Sequence, residues 1–153
     1  TVGSSILNNA TVGEQSTIGP FCHLRPGTNI GEAVHIGSHV EIKNTVIGRR
    51  TNVGHFAYLG DAIIGENVNI GAGVITCNFD GKGKHITEIG NGAFIGSDTL
   101  LVAPIKVGAR AITGAGAVIT KEVVSDTTVI GMPARKLRAN ILASVKGLPV
   151  KEG

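Results

Sequence analysis

An all-β fold, a parallel β-helix of six-residue units, is the architecture this sequence predicts, and three observations predict it. First, an aliphatic residue recurs at Val12, Ile18, Leu24, Ile30, Ile36 and Ile42, then at Ile47, Val53, Leu59, Ile64 and Ile70, and again at Ile89, Ile95, Leu101 and Val107. Second, four places after most of them stands a small or β-branched residue, among them Ser16, Cys22, Thr28, Val34, Val40, Thr51, Ala57, Val68, Val74, Ala93 and Thr99. Third, the chain has 23 glycines, no Trp, one Tyr and four Phe, so aliphatic and small side chains must fill the interior. Neither a 3.6-residue helix nor a plain alternating strand gives this pattern. A repeat of this kind marks a solenoid.

Three six-residue units close one coil, and stacked coils share the strand spacing of about 4.8 Å. Units shortened to five residues, at Ile42–Val46 and Leu59–Ile63, cut some coils to seventeen residues. Gly follows many of the aliphatic residues, as at Gly13, Gly31, Gly48 and Gly65, where it is expected to relieve the backbone near a corner. The β-helix domain is expected over residues 1–124. One loop, "TCNFDGKGKHITE" at 76–88, should leave the prism, because glycines and turn formers interrupt the period there. A tail at 125–153 follows, in which "GMPARKLRANILASVKG" reads as a short helix with Pro133 in its first turn and Gly147 as its stop.

Charge and composition exclude several classes. Residues 1–129 carry nine basic and ten acidic groups, and residues 130–153 carry five and one, so the net +3 comes from the tail. A near-neutral body with so few aromatics does not fit nucleic-acid binding. No apolar run approaches the roughly 18 residues of a membrane span. Cys22 and Cys77 are too few to staple a domain of this size and read as reduced thiols of a cytoplasmic protein. The chain opens inside the repeat and its only methionine is Met132, so it is expected to be part of a longer protein.

Stacking brings chemistry into columns. Eighteen residues, three full units, separate Arg25 from Lys43, so the two cations sit one above the other, with Gly60 next in line. At about 4.8 Å two like charges repel by roughly 3 kcal/mol at an effective dielectric near 20, and by less than about 1 kcal/mol if exposed. A bound phosphate would convert that repulsion into attraction; splayed, solvated side chains would merely relieve it. His23, Glu41 and Tyr58 form a neighbouring polar column. His55 stands beside them, with Ser38 one coil back and Ala72 one coil on, so a small residue leaves space next to the imidazole. An outward histidine is most often solvated surface, but one flanked by stacked cations, a Tyr and a Glu is a candidate general base.

The repeat resembles that of the left-handed β-helix proteins, most of them acyltransferases; the handedness comes from that resemblance. The blocks "LRPG", "VEIKN", "GHFAYLGDAIIGENVNIGAGVITCNFDG" and "IGSDTLLVAP" further resemble the acetyltransferase domain of the bacterial bifunctional enzyme of UDP-N-acetylglucosamine synthesis. The resemblance implies acetylation of glucosamine 1-phosphate by acetyl-CoA, without a metal, in a homotrimer. It assigns Arg25 and Lys43 to the sugar phosphate, His55 to the general base, and Tyr58, Asn69 and Asn78 to the sugar. Glu41 is placed where it could orient or tune the histidine. Ala72, Ser97 and Ala115 would line the acetyl-CoA groove, with Lys84 a basic loop residue near it. Ser97 or backbone N–H groups would stabilise the developing oxyanion, and Cys77 would be a structural thiol rather than a nucleophile. Phe79 replaces the Tyr common in the family's "CNYDG". The tail "VIGMPARKLR" looks more like that of simpler hexapeptide acetyltransferases, in which Arg135, Lys136 and Arg138 would either meet CoA phosphates or form a solvated helix face.

Three alternatives remain at this stage. An N-acetyltransferase of the same fold acting on a nucleotide-linked amino sugar would use the same cation pair. A zinc lyase of the carbonic-anhydrase kind would need more than His35 and His39, which lie on adjacent sides of a coil. A non-catalytic hexapeptide module would bind no acetyl-CoA.

Overall fold

The computed structural model of the chain describes residues 1–136. Strands of two to four residues coil into a left-handed β-helix of about 7 turns. Three parallel sheets form its sides. Face I has seven strands, from Ile6–Leu7 to Val118–Ile119; face II has six, from Thr11–Val12 to Ile105–Val107. Face III begins at Thr17–Ile18 and ends with Thr128–Ile130 and Arg135–Lys136, eight strands in all. The chain visits I, II and III in turn, so each strand pairs with the one a coil away: Leu24 with Ile42, Leu59 with Ile42, and Ile70 with Val53.

Both inward positions of the repeat are buried as expected. The aliphatic column (Leu24, Ile36, Ile42, Val53, Leu59 and Ile95) is essentially inaccessible, and so are Val34, Val40, Val68, Val74 and Ala93 four places on in their units. Each large aliphatic side chain withdrawn from water contributes about 1.5–3 kcal/mol. The buried hydroxyls among the small residues satisfy corner backbone: Thr45 Oγ1 donates to the carbonyl of Leu59 and accepts from the N–H of Ala62. A polar atom can sit in this core because it replaces a corner hydrogen bond that the strand ladders do not supply.

Most of the glycines after the aliphatic residues, though not Gly54, serve a different purpose from the one expected. Few of them have a left-handed backbone; that conformation belongs instead to corner residues such as Phe21, His39, Asn44, Phe56 and Asp61. A Cβ on Gly37 would collide with the carbonyl of Gly54, and one on Gly71 would lie 2.5 Å from the backbone nitrogen of Ser97. Glycine is required there because the next coil passes too close for any side chain.

Two boundaries differ from the sequence reading. The strands flanking the loop run through Cys77 and resume at Thr87, so residues 78–86 alone leave the ladder, folded into a small hairpin by the Phe79–Lys84 bridge. The coil also continues past Val123, because Thr128–Ile130 pairs with Ile112–Thr113. Pro133 stands in a turn, and Arg135–Lys136 pairs antiparallel with Val129–Ile130, so the first turn of the expected helix is turn and strand. The remainder of that helix, with Arg138, lies outside the described residues.

Candidate active site

Face I carries the polar columns. In register outward from its first coils stand His23, Glu41 and Tyr58, and beside them Arg25, Lys43 and Gly60. Arg25 and Lys43 therefore share one face, one strand spacing apart. Their repulsion is partly met from the side: Nη1 of Arg25 donates to Oε1 of Glu41 at 2.8 Å, with both side chains about 40% exposed (39% and 42%). Exposure keeps such a pair weak, below about 1 kcal/mol. Glu41 both partly neutralises the guanidinium and places it over the face. The described contact of Glu41 is this arginine; among the described residues the imidazole of His55 accepts and donates no hydrogen bond.

Tyr58 does not stand straight out. Its hydroxyl folds back over Gly60, 2.5 Å from where a Cβ on that glycine would lie, and Nδ2 of Asn78 occupies the same spot at 2.6 Å. Gly60 thus makes room for two donors next to Lys43. Asn78 is buried at the start of the loop, and its amide donates to Asp61. Lys84, on the returning arm of the loop, lies over the ring of Phe79 at 4.5 Å from its centroid. Arg25, Lys43, Tyr58, Asn78 and Lys84 all belong to this face or to the loop rising from it.

His55 occupies the corner between faces III and I, exposed, at the end of the strand Asn52–His55. Its register partner is Ser38. Backbone bonds carry the same corner onward: Gly73 N–H donates to His55 O, Asp98 N–H to Ala72 O, and Gly116 N–H to Ser97 O. On one side of His55 the corner is aromatic, with Phe21, His39 and Phe56 in a ladder whose centroids are 5.3 and 5.2 Å apart. On the other its side chains are mostly small, Ala72, Gly73, Ser97, Ala115 and Gly116, with the carboxylate of Asp98 lying over Gly73 and nothing within 4 Å of a Cβ placed on Gly116.

Asn69 is elsewhere. It lies on face III, in register with Asn52, whose Nδ2 donates to its Oδ1 at 3.2 Å. One chain therefore gathers the cations, Tyr58 and Asn78 on face I and His55 with its column of small residues at the edge, while Asn69 belongs to the adjoining face. Cys77 follows Gly60 in the cation column, and burial pushes its thiol up, which disfavours a nucleophilic thiolate. No cluster of His, Cys, Asp or Glu suited to a metal occurs among the described residues.

Sequence reasoning missed Asp61 and the Phe21–His39–Phe56 ladder. Both were findable by extending the column argument to corners: Asn44 and Asp61 are seventeen residues apart, as are His39 and Phe56, and all four have a left-handed backbone.

The model of the GMPPB C-terminal domain family matches residues 6–146. The chain belongs to that family. Among similar proteins is the bifunctional protein GlmU of Heliobacterium modesticaldum, 50% identical over 141 residues that make up 92% of this chain and 31% of the relative. GlmU of Paracoccus denitrificans is 57% identical over 125 residues, 82% of this chain and 28% of its own length. The chain thus spans less than a third of these relatives, and the resemblance read from its sequence blocks is matched by them. Among solved structures, a variant of perosamine N-acetyltransferase from Caulobacter crescentus, in complex with CoA and GDP-perosamine, superposes with a TM-score of 0.63 at 20% identity. It covers 84% of this chain and 57% of that one. The polySia-specific acetyltransferase NeuO superposes with a TM-score of 0.63 at 17% identity, over 92% and 84% of the two chains. At such identities the family's β-helix is what is shared.

Proposed function

We propose that this chain is an acetyl-CoA-dependent N-acetyltransferase that acetylates glucosamine 1-phosphate, a step toward UDP-N-acetylglucosamine. The observation that carries the reading is the stacking of Arg25 on Lys43 on one face, beside Tyr58 and Asn78, at the edge where His55 is followed by the small residues Ala72 and Ser97. Support comes from the relatives at 50% and 57% identity and from the CoA in the perosamine N-acetyltransferase complex.

In this mechanism Arg25 and Lys43 hold the phosphate, and Tyr58 and Asn78 hold the sugar. Acetyl-CoA supplies the activated acetyl group when bound. His55 receives the proton shed by the acceptor nitrogen as the new C–N bond replaces the C–S bond, and the proton passes on to the departing sulfur. Such a base contributes about 10²–10⁴-fold. Ser97, two coils on from His55 in the same column, is the candidate donor to the developing oxyanion. Lys84 is a basic loop residue near the cofactor, as the family resemblance implies.

Asn69 gives the reading its quaternary form. It joins the sugar site only if face III of one copy meets face I of another, which is the packing of a homotrimer with sites between subunits. A cytoplasmic location accords with free cysteines, and no described helix is long and apolar enough to cross a membrane.

The test is a thiol-release assay with acetyl-CoA and glucosamine 1-phosphate, wild type against His55→Ala. Release by the wild type and a loss of about 10²–10⁴-fold in kcat for the variant are expected. No release by the wild type refutes the activity, and an unimpaired variant refutes the base.

A further inference from the structure

Behind the site lies a carboxylate that the mechanism does not use. Asp61 closes the corner between faces I and II in a left-handed conformation, 8% exposed. Two side-chain amides converge on it: Nδ2 of Asn44 reaches Oδ1 at 2.7 Å, and Nδ2 of Asn78 reaches Oδ2. Burial pushes its carboxyl up, but the two amide hydrogen bonds, with Lys43 and Lys84 nearby, outweigh burial and hold it below the usual range. An ionised carboxylate can only accept. The end of Asn78 that faces Asp61 must therefore be its nitrogen, and this nitrogen is the atom standing over Gly60 beside the Tyr58 hydroxyl.

We propose that Asp61 is a positioning residue that fixes the nitrogen end of Asn78 over Gly60, so that the Asn78 N–H, the Tyr58 O–H and the Lys43 ammonium together recognise an oxygen-rich group of the acceptor. A phosphate or a sugar hydroxyl oxygen fits that set of donors. The inference rests on the acetyltransferase reading for its substrate, and on the corner geometry alone for its mechanism. Asn78 lacks an equally fixed orientation without the carboxylate, because a neutral partner at 61 could present either an oxygen or an NH₂ and the amide could rotate to suit.

The experiment is a double-mutant cycle on the full chain with Asp61→Asn, Asn78→Ala and the pair, reading KM for glucosamine 1-phosphate and for acetyl-CoA separately. Asp61→Asn is expected to raise KM for the sugar phosphate about tenfold, the scale of one charge-assisted hydrogen bond, with KM for acetyl-CoA within about twofold. In the Asn78→Ala background the same change should cost less than about twofold more, since a residue that acts through another loses its effect when that other is gone. A full, additive penalty, or an unchanged KM in the single variant, overturns the proposal. The side-chain NH₂ of Asn78, followed by ¹⁵N NMR, gives a readout independent of turnover: slow hydrogen exchange in the wild type, lost in Asp61→Asn. If the wild type acetylates nothing, the function fails and this signal still decides the role of Asp61; protected exchange in the variant refutes it.

Discussion

Replacing Gly60 by Ala separates what the site needs from what the fold needs. The added Cβ would lie 2.5 Å from the Tyr58 hydroxyl, 2.8 Å from its ring carbon Cζ and 2.6 Å from Nδ2 of Asn78. Ordinary contact begins near 3.4 Å, so both side chains must retreat by about 1 Å. Pushing Tyr58 off its rotamer costs about 0.5–1.5 kcal/mol. Moving Asn78 by that distance breaks its bond to Asp61, worth about 1.5–3 kcal/mol for a charged partner. Some of this is offset in the folding equilibrium, because Ala loses less chain entropy than Gly by about 0.4–1 kcal/mol. In substrate binding nothing offsets it. The expected outcome is a rise of about 10- to 100-fold in KM for glucosamine 1-phosphate, with a melting temperature lowered by roughly 2–15 °C, since a net cost of about 1–4 kcal/mol remains in folding. Two companions calibrate the result. Gly3→Ala, whose Cβ would meet nothing closer than 3.4 Å, should alter neither property. Gly37→Ala, whose Cβ would strike the Gly54 carbonyl, should lower stability by several kcal/mol, because a backbone cannot step aside as a side-chain tip can. An unchanged KM in Gly60→Ala, with Tyr58 and Asn78 displaced in its structure, would refute their role in holding the sugar.

Other expectations follow from single features. Glu41→Gln removes the acid that neutralises Arg25, so inorganic phosphate should bind about two- to fivefold more tightly by titration, the scale of an exposed ion pair; weaker binding would mean the pair pre-orients the guanidinium more than it competes. Cys77→Ala should keep kcat within about twofold, as a half-buried, protonated thiol off the reaction path requires. The loop carries a pH prediction. Asp80 is held well below the usual carboxylate range by the N–H of Gly83, by His85 at 2.7 Å and by the N–H of Lys82. A carboxyl depressed by folding stabilises the hairpin above its unfolded value of about 3.9 and loses that contribution only as pH falls through the lower folded value. Amide exchange at Gly83 should therefore stay slow at pH 4 and accelerate only below it, and acceleration beginning at pH 5–6 would contradict the assignment.

The two inward positions of the repeat, and hence the prism, were legible because burial in a solenoid is periodic in one dimension. Leu24, Ile42 and Leu59 had to stack inside, and once they did, Arg25 and Lys43 had to stack outside. Counting residues places Cα atoms in columns; it does not say how far a long side chain leans sideways. Arg25 reaches diagonally to Glu41, and Tyr58 bends over Gly60 to lie beside Asn78, and neither follows from spacing. The glycines were read correctly as necessary and incorrectly in their cause, since the approach of the neighbouring coil is a contact between residues about seventeen apart that local backbone preference cannot reveal. The tail misled for a related reason: Pro133 suits the first turn of a helix, but the edge strand Thr128–Ile130 offers unpaired backbone groups that Arg135–Lys136 can satisfy, and tertiary pairing outweighs a weak local signal. The same logic singles out Asp61. In a repeat that repays only aliphatic and small residues with burial, a carboxylate withdrawn from water at one corner needs compensation from elsewhere, and Asn44 and Asn78 supply it from coils on either side. A corner that served the fold alone would be filled more simply by asparagine or glycine, as Asn44 and Gly27 fill it one and two coils earlier, so the charge at 61 points toward the cations and amide it holds in place.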